Sequence, residues 1–480
     1  MTRLQPVRVA QTRSLWLQEA LALESDPVSP PLAGGLMTDI AIIGGGYTGL
    51  WTALRIKELE PSVDVTVLEA DICGGGASGR NGGLVLGWYA KLKNLIAVCG
   101  EEEGVRLARA AASAVDEIGD FCARHGIDAH YRKAGMLNVA TTPMHVRDWS
   151  ARVATLERYG FHEAERVLEP GEAAARGGSP RYLGGVFQKD AATVQPALLA
   201  RGLRRVAIEQ GIRIFEQTPV VELRHDHTPM ALTPKGVVIA KKIVLATNAW
   251  AAGVQELRRS IVVLSSDMVA TAPAPERIAA TGWTGGESIT DSRLMVHYHH
   301  VTRDGRIAIG RGSGALALLG QVGPTFNESA RRSAVVERGL RRFYPTLGDV
   351  PVTHRWAGAV DRSRTNTLVF GMLDGNPNVR YGVGYSGTGV APSLIGGRIL
   401  ASSVLERDDE WSGSRLNQGP AVLYPPEPAR FFGGLLVREA TRIKEENEER
   451  VEDTPAPVRA LASLANARKP KRPVDPETST

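Results

Sequence analysis

At 480 residues and 43% hydrophobic content the chain can bury a large core and exceeds one typical domain, which predicts two interleaved ones. Its net charge of +5 is modest, arises partly from the cluster Lys469 to Arg472, and comes with no basic stripe interleaved with aromatics, which argues against nucleic acid. Three cysteines (Cys73, Cys99, Cys122) exclude a disulfide framework, and neither a bilayer-length apolar run nor an apolar stretch behind Arg3, Arg8 and Arg13 is present, so a cytoplasmic protein with no transmembrane segment or signal peptide is expected.

Met1 to Leu36 reads as an arm with an amphipathic turn at Leu15, Trp16, Leu17 and Leu21 and a linker at Pro27, Pro30 and Pro31, packing on the outside of the fold. Asp39 to Asp71 then reads as one strand-turn-helix-strand unit. Asp39 to Ile43 is an apolar run that breaks into Gly44-x-Gly46-x-x-Gly49, and Tyr47 to Glu60 carries Leu50, Ala53, Leu54 and Leu59 at helical spacing before Pro61. Gly44 suits the tight turn, Gly46 lets a pyrophosphate approach the backbone, and Gly49 allows close helix–strand packing. The phosphates would sit on the amides of Tyr47 and Thr48 at the helix start, where the dipole favours anions. Val63 to Leu68 is the second strand, and Glu69 at its end is the acid expected to hold ribose hydroxyls. A 2′-phosphate would be repelled there, which disfavours NADP.

Cys73 to Gly83 is a second glycine-rich loop, longer than two packed elements need. Ala77 and Ser78 sit in it, Ser78 and Asn81 offer hydrogen bonds, Arg80 offers a phosphate-matched cation, and Gly82 and Gly83 would let backbone lie flat against a large planar ring. The plainer alternative is a mobile loop with a solvated Arg80. Asn94 to His125 is predicted helical, Tyr131 to Thr141 a strand, Pro196 to Gln210 a helix stopped by Gly211, and Ile212 to Phe215 and Val220 with Val221 strands. Segments 261–272 and 294–309 alternate as strands, with Asp304-Gly305 as a hairpin turn. Thr441 to Glu452 is a charged helix leading to a Pro- and Lys-rich tail without the apolar residues to fold.

With Ile42 to Leu54, Gly76 to Gly83, Ile243 to Trp250 and Gly382 to Pro392 on the page, the chain resembles the D-amino-acid oxidase superfamily of FAD enzymes, in the branch of γ-glutamylputrescine, glycine and sarcosine oxidases. The order of these motifs covers most of Leu15 to Arg438. The resemblance implies an α/β, overall α+β, fold: a discontinuous Rossmann-like FAD-binding domain (37–88, 186–262, 355–405) and an antiparallel-sheet substrate domain (89–185, 263–354), flanked by the arm 1–36 and a C-terminal extension 406–480. It implies non-covalent FAD, since no cysteine beyond Cys122 could make the C-terminal cysteinyl link of the sarcosine oxidase type. It also implies that the backbone at Val220 and Val221 touches the adenine, that Thr247, Asn248 and Trp250 return to the dinucleotide, and that Gly358, Gly384, Ser386, Gly387, Thr388 and Gly389 close over the flavin. Gly387 to Val390, at the start of a helix, would stabilise charge developing on the ring.

The implied reaction is hydride transfer from the carbon beside an amine nitrogen to flavin, giving an imine that hydrolyses, with oxygen or another acceptor reoxidising the cofactor. Relatives acting on amino acids hold the carboxylate with an arginine in Ala-Gly-x-Arg-Pro. Here the segment reads Ala357-Gly358-Ala359-Val360-Asp361, which tilts the expectation toward an amine or an unusual amino acid. Alternation puts Tyr298 and His300 on one face of their strand and His297 and His299 on the other. Tyr298, His300, Arg311 and Asp267 are the candidate substrate contacts, with structural salt bridges the alternative for Arg311. His297 and His299 have the spacing of a metal pair but no carboxylate motif beside them, and no metal is assigned. The rival reading is a flavoprotein of the same fold with a regulatory or binding role, supported by the missing arginine alone.

Overall fold

The computed structural model describes residues 1–7, 12–25, 28–225 and 227–470; Arg8 and Pro27, and the tail from Lys471 on with Arg472, lie outside them. Two large sheets organise the chain. The nine-stranded sheet has at its centre the parallel strands Gly236–Leu245, Gly34–Ile43, Val65–Leu68 and Arg213–Phe215, with Asn376–Val383 parallel to the end of Gly236–Leu245. Ile40 to Ile43 and Val65 to Leu68 are buried without a break, and all but Thr66 are apolar, because these strands are covered on both faces. The helices Tyr47–Leu59, Pro196–Glu209 and Val390–Val404 bury Leu50, Ile56, Leu199, Leu203, Ile395 and Ile399 in the largest core.

The eight-stranded sheet runs, edge to edge, Val352–Ser363, Ile261–Thr271, Ile307–Arg311, His297–Val301, Ser288–Asp291, Met136–Val139, Gly185–Gln188 and Glu165–Leu168. Its pairs are antiparallel except Ser288–Asp291 with Met136–Val139. The helix Ala330–Phe343 covers one face through Val336, Leu340 and Phe343. Three expected boundaries run through strands of this sheet: Gly185–Gln188, Ile261–Thr271 and Val352–Ser363 each pair within it while straddling a boundary between the dinucleotide and substrate segments. Partner strands, which sequence alone does not name, decide that allegiance.

Several elements differ from expectation for local reasons. The single helix expected over 94–125 is two, Leu92–Cys99 and Glu101–Arg124, because Gly100 takes φ +86° between them. The strand expected over 131–141 shortens to Met136–Val139 behind Gly135 at φ +84°. The strand placed at Val220 and Val221 begins at Glu222. The charged C-terminal helix begins far earlier, at Ala429 after Pro428, and reaches Arg450 with Ala440, Thr441 and Glu445 buried. The extension then folds again as Ala456–Ser463.

The arm is the clearest correction. It does not pack on the outside: Trp16 is 1% exposed and Leu17 wholly buried, on a helix Leu15–Ala22 capped by Ser14, whose Oγ accepts from Leu17 N. Thr2–Arg3 adds an edge strand to the larger sheet. An amphipathic turn followed by prolines looks peripheral in sequence. What makes it internal is a set of partners far along the chain, from Gly79 and Asn81 to His300 and Trp356.

Candidate active site

Two adjoining cavities open where the sheets meet. The first is a groove along the C-terminal ends of the parallel strands, lined by Gly44, Gly46, Tyr47, Thr48, Glu69, Ala77, Ser78, Arg80, Val220, Thr247, Asn248 and Trp250 among others. Gly44 takes φ +112°, and a side chain on it would meet Ala246 O at 2.4 Å; one on Gly49 would meet Gly44 O at 1.9 Å, so both glycines are forced by backbone contact. Gly46 is different. Its nearest neighbour is the tip of Ser78, so the bare backbone there faces the groove.

The glycine turn and the second loop are joined. Ser78 Oγ accepts from Tyr47 N at 2.9 Å, meeting one free amide of the helix start. Asn81 donates to Ala77 O and Ser78 O and accepts from Gly83 N, so its polar atoms shape the loop. Arg80 lines both cavities but donates to Gly75 O and Ala357 O, and burial pulls its pKa down to about 10. Through two of its three guanidinium nitrogens it ties the loop to the strand Val352–Ser363. At Gly82 and Gly83 the near neighbours are the Tyr298 ring and Val194 O, so side chains are excluded there by the protein itself. Val221 is 41% exposed and outside the groove, which only Val220 reaches.

The groove fits an adenine dinucleotide. Burial pushes the Glu69 carboxyl up to about 7 against the pull of the amides of Asp71 and Gly45, and ribose hydroxyls would bring it further donors. Thr247 Oγ1 and Trp250 Nε1, both buried atoms, have no hydrogen-bond partner among the described residues. Leu4, Gln5 and Val7 of the arm also line this groove, and Gln5 Nε2 donates to Trp250 O and Gly320 O. Nothing in the sequence signalled that.

The second cavity, about 420 Å³, continues from Tyr47, Thr48 and Ser78 past Asn81, Gly82 and Gly358 to the turn Ser386 to Gly389. That turn caps the helix Val390–Val404, whose free amides open on the cavity. It is held strained, with Gly384, Ser386 and Gly387 all at positive φ, by Asp361, whose carboxylate accepts from Gly384 N and Tyr385 N. Thr48 donates to Tyr385 OH at 2.7 Å, fastening the turn to the dinucleotide helix.

The sequence missed Lys91 and Asp361. Lys91 lines the cavity and its Nζ donates to Tyr385 O; burial, with Arg362 nearby, pulls its pKa down to about 7. Burial pushes Asp361 up to about 7 against its two backbone donors. A lysine set between Trp88, Tyr89 and Leu92 was the available signal.

Of the four expected substrate contacts only Tyr298 lines the cavity, its hydroxyl 2.7 Å from Ser266 Oγ. His300 shares its face but lies deeper, stacked on Trp16. Asp267 is 1% exposed and takes Arg332 Nε on both oxygens at 2.9 Å. Arg311 lies against Met295 and Glu445 under the C-terminal helix. Both are structural. His297 and His299 face away, His297 bonded to Asp291 at 2.8 Å and His299 to the hydroxyls of Tyr182 and Tyr344. Val360 lines the cavity where the Ala-Gly-x-Arg-Pro arginine would stand.

A dinucleotide laid along the groove would bring its far ring toward the strained turn and the second cavity, and fold and site together define a flavin-dependent oxidoreductase. The chain belongs to the FAD dependent oxidoreductase (DAO) family, whose profile matches residues 39–403. It is 30% identical over 369 residues to γ-glutamylputrescine oxidoreductase of Escherichia coli, covering 76% of this chain and 82% of that one, and 26% identical over 422 residues to a probable oxidoreductase, OrdL, of Haemophilus influenzae, covering 86% and 92%. Glycine oxidase of Geobacillus kaustophilus shares the fold at TM-score 0.65 and 19% identity, over 78% of this chain and 96% of that one. The protein is thus an enzyme, an FAD-dependent oxidoreductase of the amine and amino-acid oxidase type. That sets aside a flavoprotein without substrate chemistry. No helix among the described residues is long and apolar enough to cross a membrane.

Proposed function

We propose that this enzyme oxidises the C–N bond of a primary or secondary amine, or of an unusual amino acid, holding FAD without a covalent link. Bound FAD would supply the acceptor for the hydride on the carbon beside nitrogen, two electrons leaving the substrate as C=N forms, and would pass them to oxygen or another acceptor. The cavity's own groups fit the remaining steps. A substrate ammonium must lose its proton before its lone pair can form C=N, and Lys91, titrating near neutrality inside the cavity, is placed to take it. Water then adds to the imine, releasing a carbonyl compound with ammonia from a primary amine or a smaller amine from a secondary one. The amides at the start of Val390–Val404 would face charge developing on the ring.

The observation that carries the amine reading is Val360 in the carboxylate-clamp position. Arg362 also lines the cavity, but its Nη2 is engaged by Ala465 O at 2.8 Å. Three buried free cysteines fit work in a reducing compartment such as the cytoplasm. Anaerobic bleaching of the flavin by a panel of amines tests the proposal, and repeating the panel with oxygen and peroxide detection separates oxidase from dehydrogenase. Bleaching by alcohols or hydroxy acids, with none by any amine, would overturn it.

A further inference from the structure

We infer that segment 2–7 of the arm is a strap that completes the FAD site over the adenine half of the cofactor, and that FAD enters and leaves by peeling this segment from the edge of the nine-stranded sheet. Glu69 and Val220 mark that half of the groove. Both line it, and the chain leading to Val220 is fastened to Glu69, whose backbone O accepts from Thr218 N at 2.8 Å. The arm arrives at the same place. Thr2 and Arg3 pair with Leu223 and Glu222, and Leu4 N donates to Val221 O at 3.1 Å. Leu4, Gln5 and Val7 then line the groove itself, so two apolar residues and one amide residue form part of its wall.

The segment is held by hydrogen bonds more than by buried apolar surface. Gln5 Nε2 donates to Trp250 O at 3.1 Å and to Gly320 O at 3.3 Å, and its Oε1 accepts from Val322 N at 3.3 Å. Trp250 and Val322 are groove residues too, so one side chain pins the arm to two further parts of the wall. The paired strand is only Thr2–Arg3, at the sheet edge, with Arg3 exposed and Leu4 partly buried. The rest of the arm is fixed differently. Arg13 takes both carboxylate oxygens of Asp71, and Leu15, Trp16 and Leu17 are buried. A segment with few apolar contacts beside a packed helix is the part that opens locally at small cost. Bound FAD would bring its adenine against Leu4 and Val7 and stabilise the closed segment, which in turn would keep water from the ring.

The test is the rate at which FAD leaves the holoenzyme, followed as free-flavin fluorescence after dilution. Gln5→Ala removes three hydrogen bonds and should speed release about tenfold or more. Arg3→Cys with Glu222→Cys puts two thiols on direct cross-strand partners, within reach of a disulfide, while the three native cysteines are buried. With that disulfide formed, FAD should leave about tenfold more slowly than from the same protein reduced. An arm that only stabilised the fold would not make release depend on the link. In the unaltered protein, hydrogen exchange at the Leu4 amide should slow when FAD is bound. Release that ignores the disulfide, an unchanged rate in Gln5→Ala, or Leu4 exchange that ignores FAD overturns the strap.

Discussion

At its glycine turn the dinucleotide groove presents a wall of bare backbone, where Gly46 has no side chain to block it. The cavity beside it is walled by side chains, Lys91, Asn138, Arg152, Tyr298 and Asp361, contributed by elements far apart in the chain. The difference separates two tasks. A pyrophosphate is the same in every dinucleotide and can be met by amides and a helix dipole, whereas a substrate must be told from its neighbours by particular groups.

The largest effect should come from breaking the backbone wall. Gly46→Val puts a side chain where the groove needs open backbone, and purified variant should carry essentially no FAD, read as loss of the visible absorbance while far-ultraviolet circular dichroism stays native. A yellow variant would make the turn merely structural.

Next is the arm, which bridges both regions. Trp16 donates to Asn81 O, Ser14 Oγ to Gly79 O and Gln195 Nε2 to Trp16 O, so the buried helix Leu15–Ala22 braces the second glycine loop. Trp16→Ala should cost about 3–5 kcal/mol of stability, as large-to-small core changes do, and should weaken FAD retention with it. Unchanged thermal stability would return the arm to the surface.

On the side-chain wall, Lys91→Met should keep its FAD yet reduce anaerobic flavin bleaching at neutral pH by about 100-fold, the low end of general-base catalysis. The rising limb of kcat/KM, set near 7 by Lys91 in the wild type, should move up toward the free amine's own pKa. An unmoved limb would remove Lys91 from proton transfer.

How much of this was legible follows from the same division. A glycine that must take φ +112° or let Ala246 O approach is marked by its own identity and spacing, so Gly44, Gly49 and Glu69 could be read directly. Asn138 becomes a neighbour of Thr290 only through strand pairing between segments more than a hundred residues apart, and no local pattern announces such register. Asp267 and Arg311 looked like substrate groups because sequence shows charge in strands but not the Arg332 and Glu445 that satisfy it. Trp16 looked peripheral for the same reason.

The last predicted effect, absent at neutral pH, is a stability change that leaves chemistry alone. Burial holds His299 down to about 3 and His300 down to about 4, so both are neutral in the fold while an unfolded chain protonates them below about 6.5. Their contribution is fully present above about 6.5 and is lost as pH falls from there toward about 4, at up to roughly 1.4 kcal/mol per pH unit for each. His300→Phe, a ring kept against Trp16, should flatten part of that acid limb in denaturant titrations without changing KM. A changed KM would put His300 back among the substrate contacts.

The central claim is the bond that breaks. A single anaerobic turnover, with flavin absorbance followed and products identified by mass spectrometry, tests it most directly. The account predicts one carbonyl compound and one released amine, or ammonia, per flavin bleached; bleaching that leaves every C–N bond intact would contradict it.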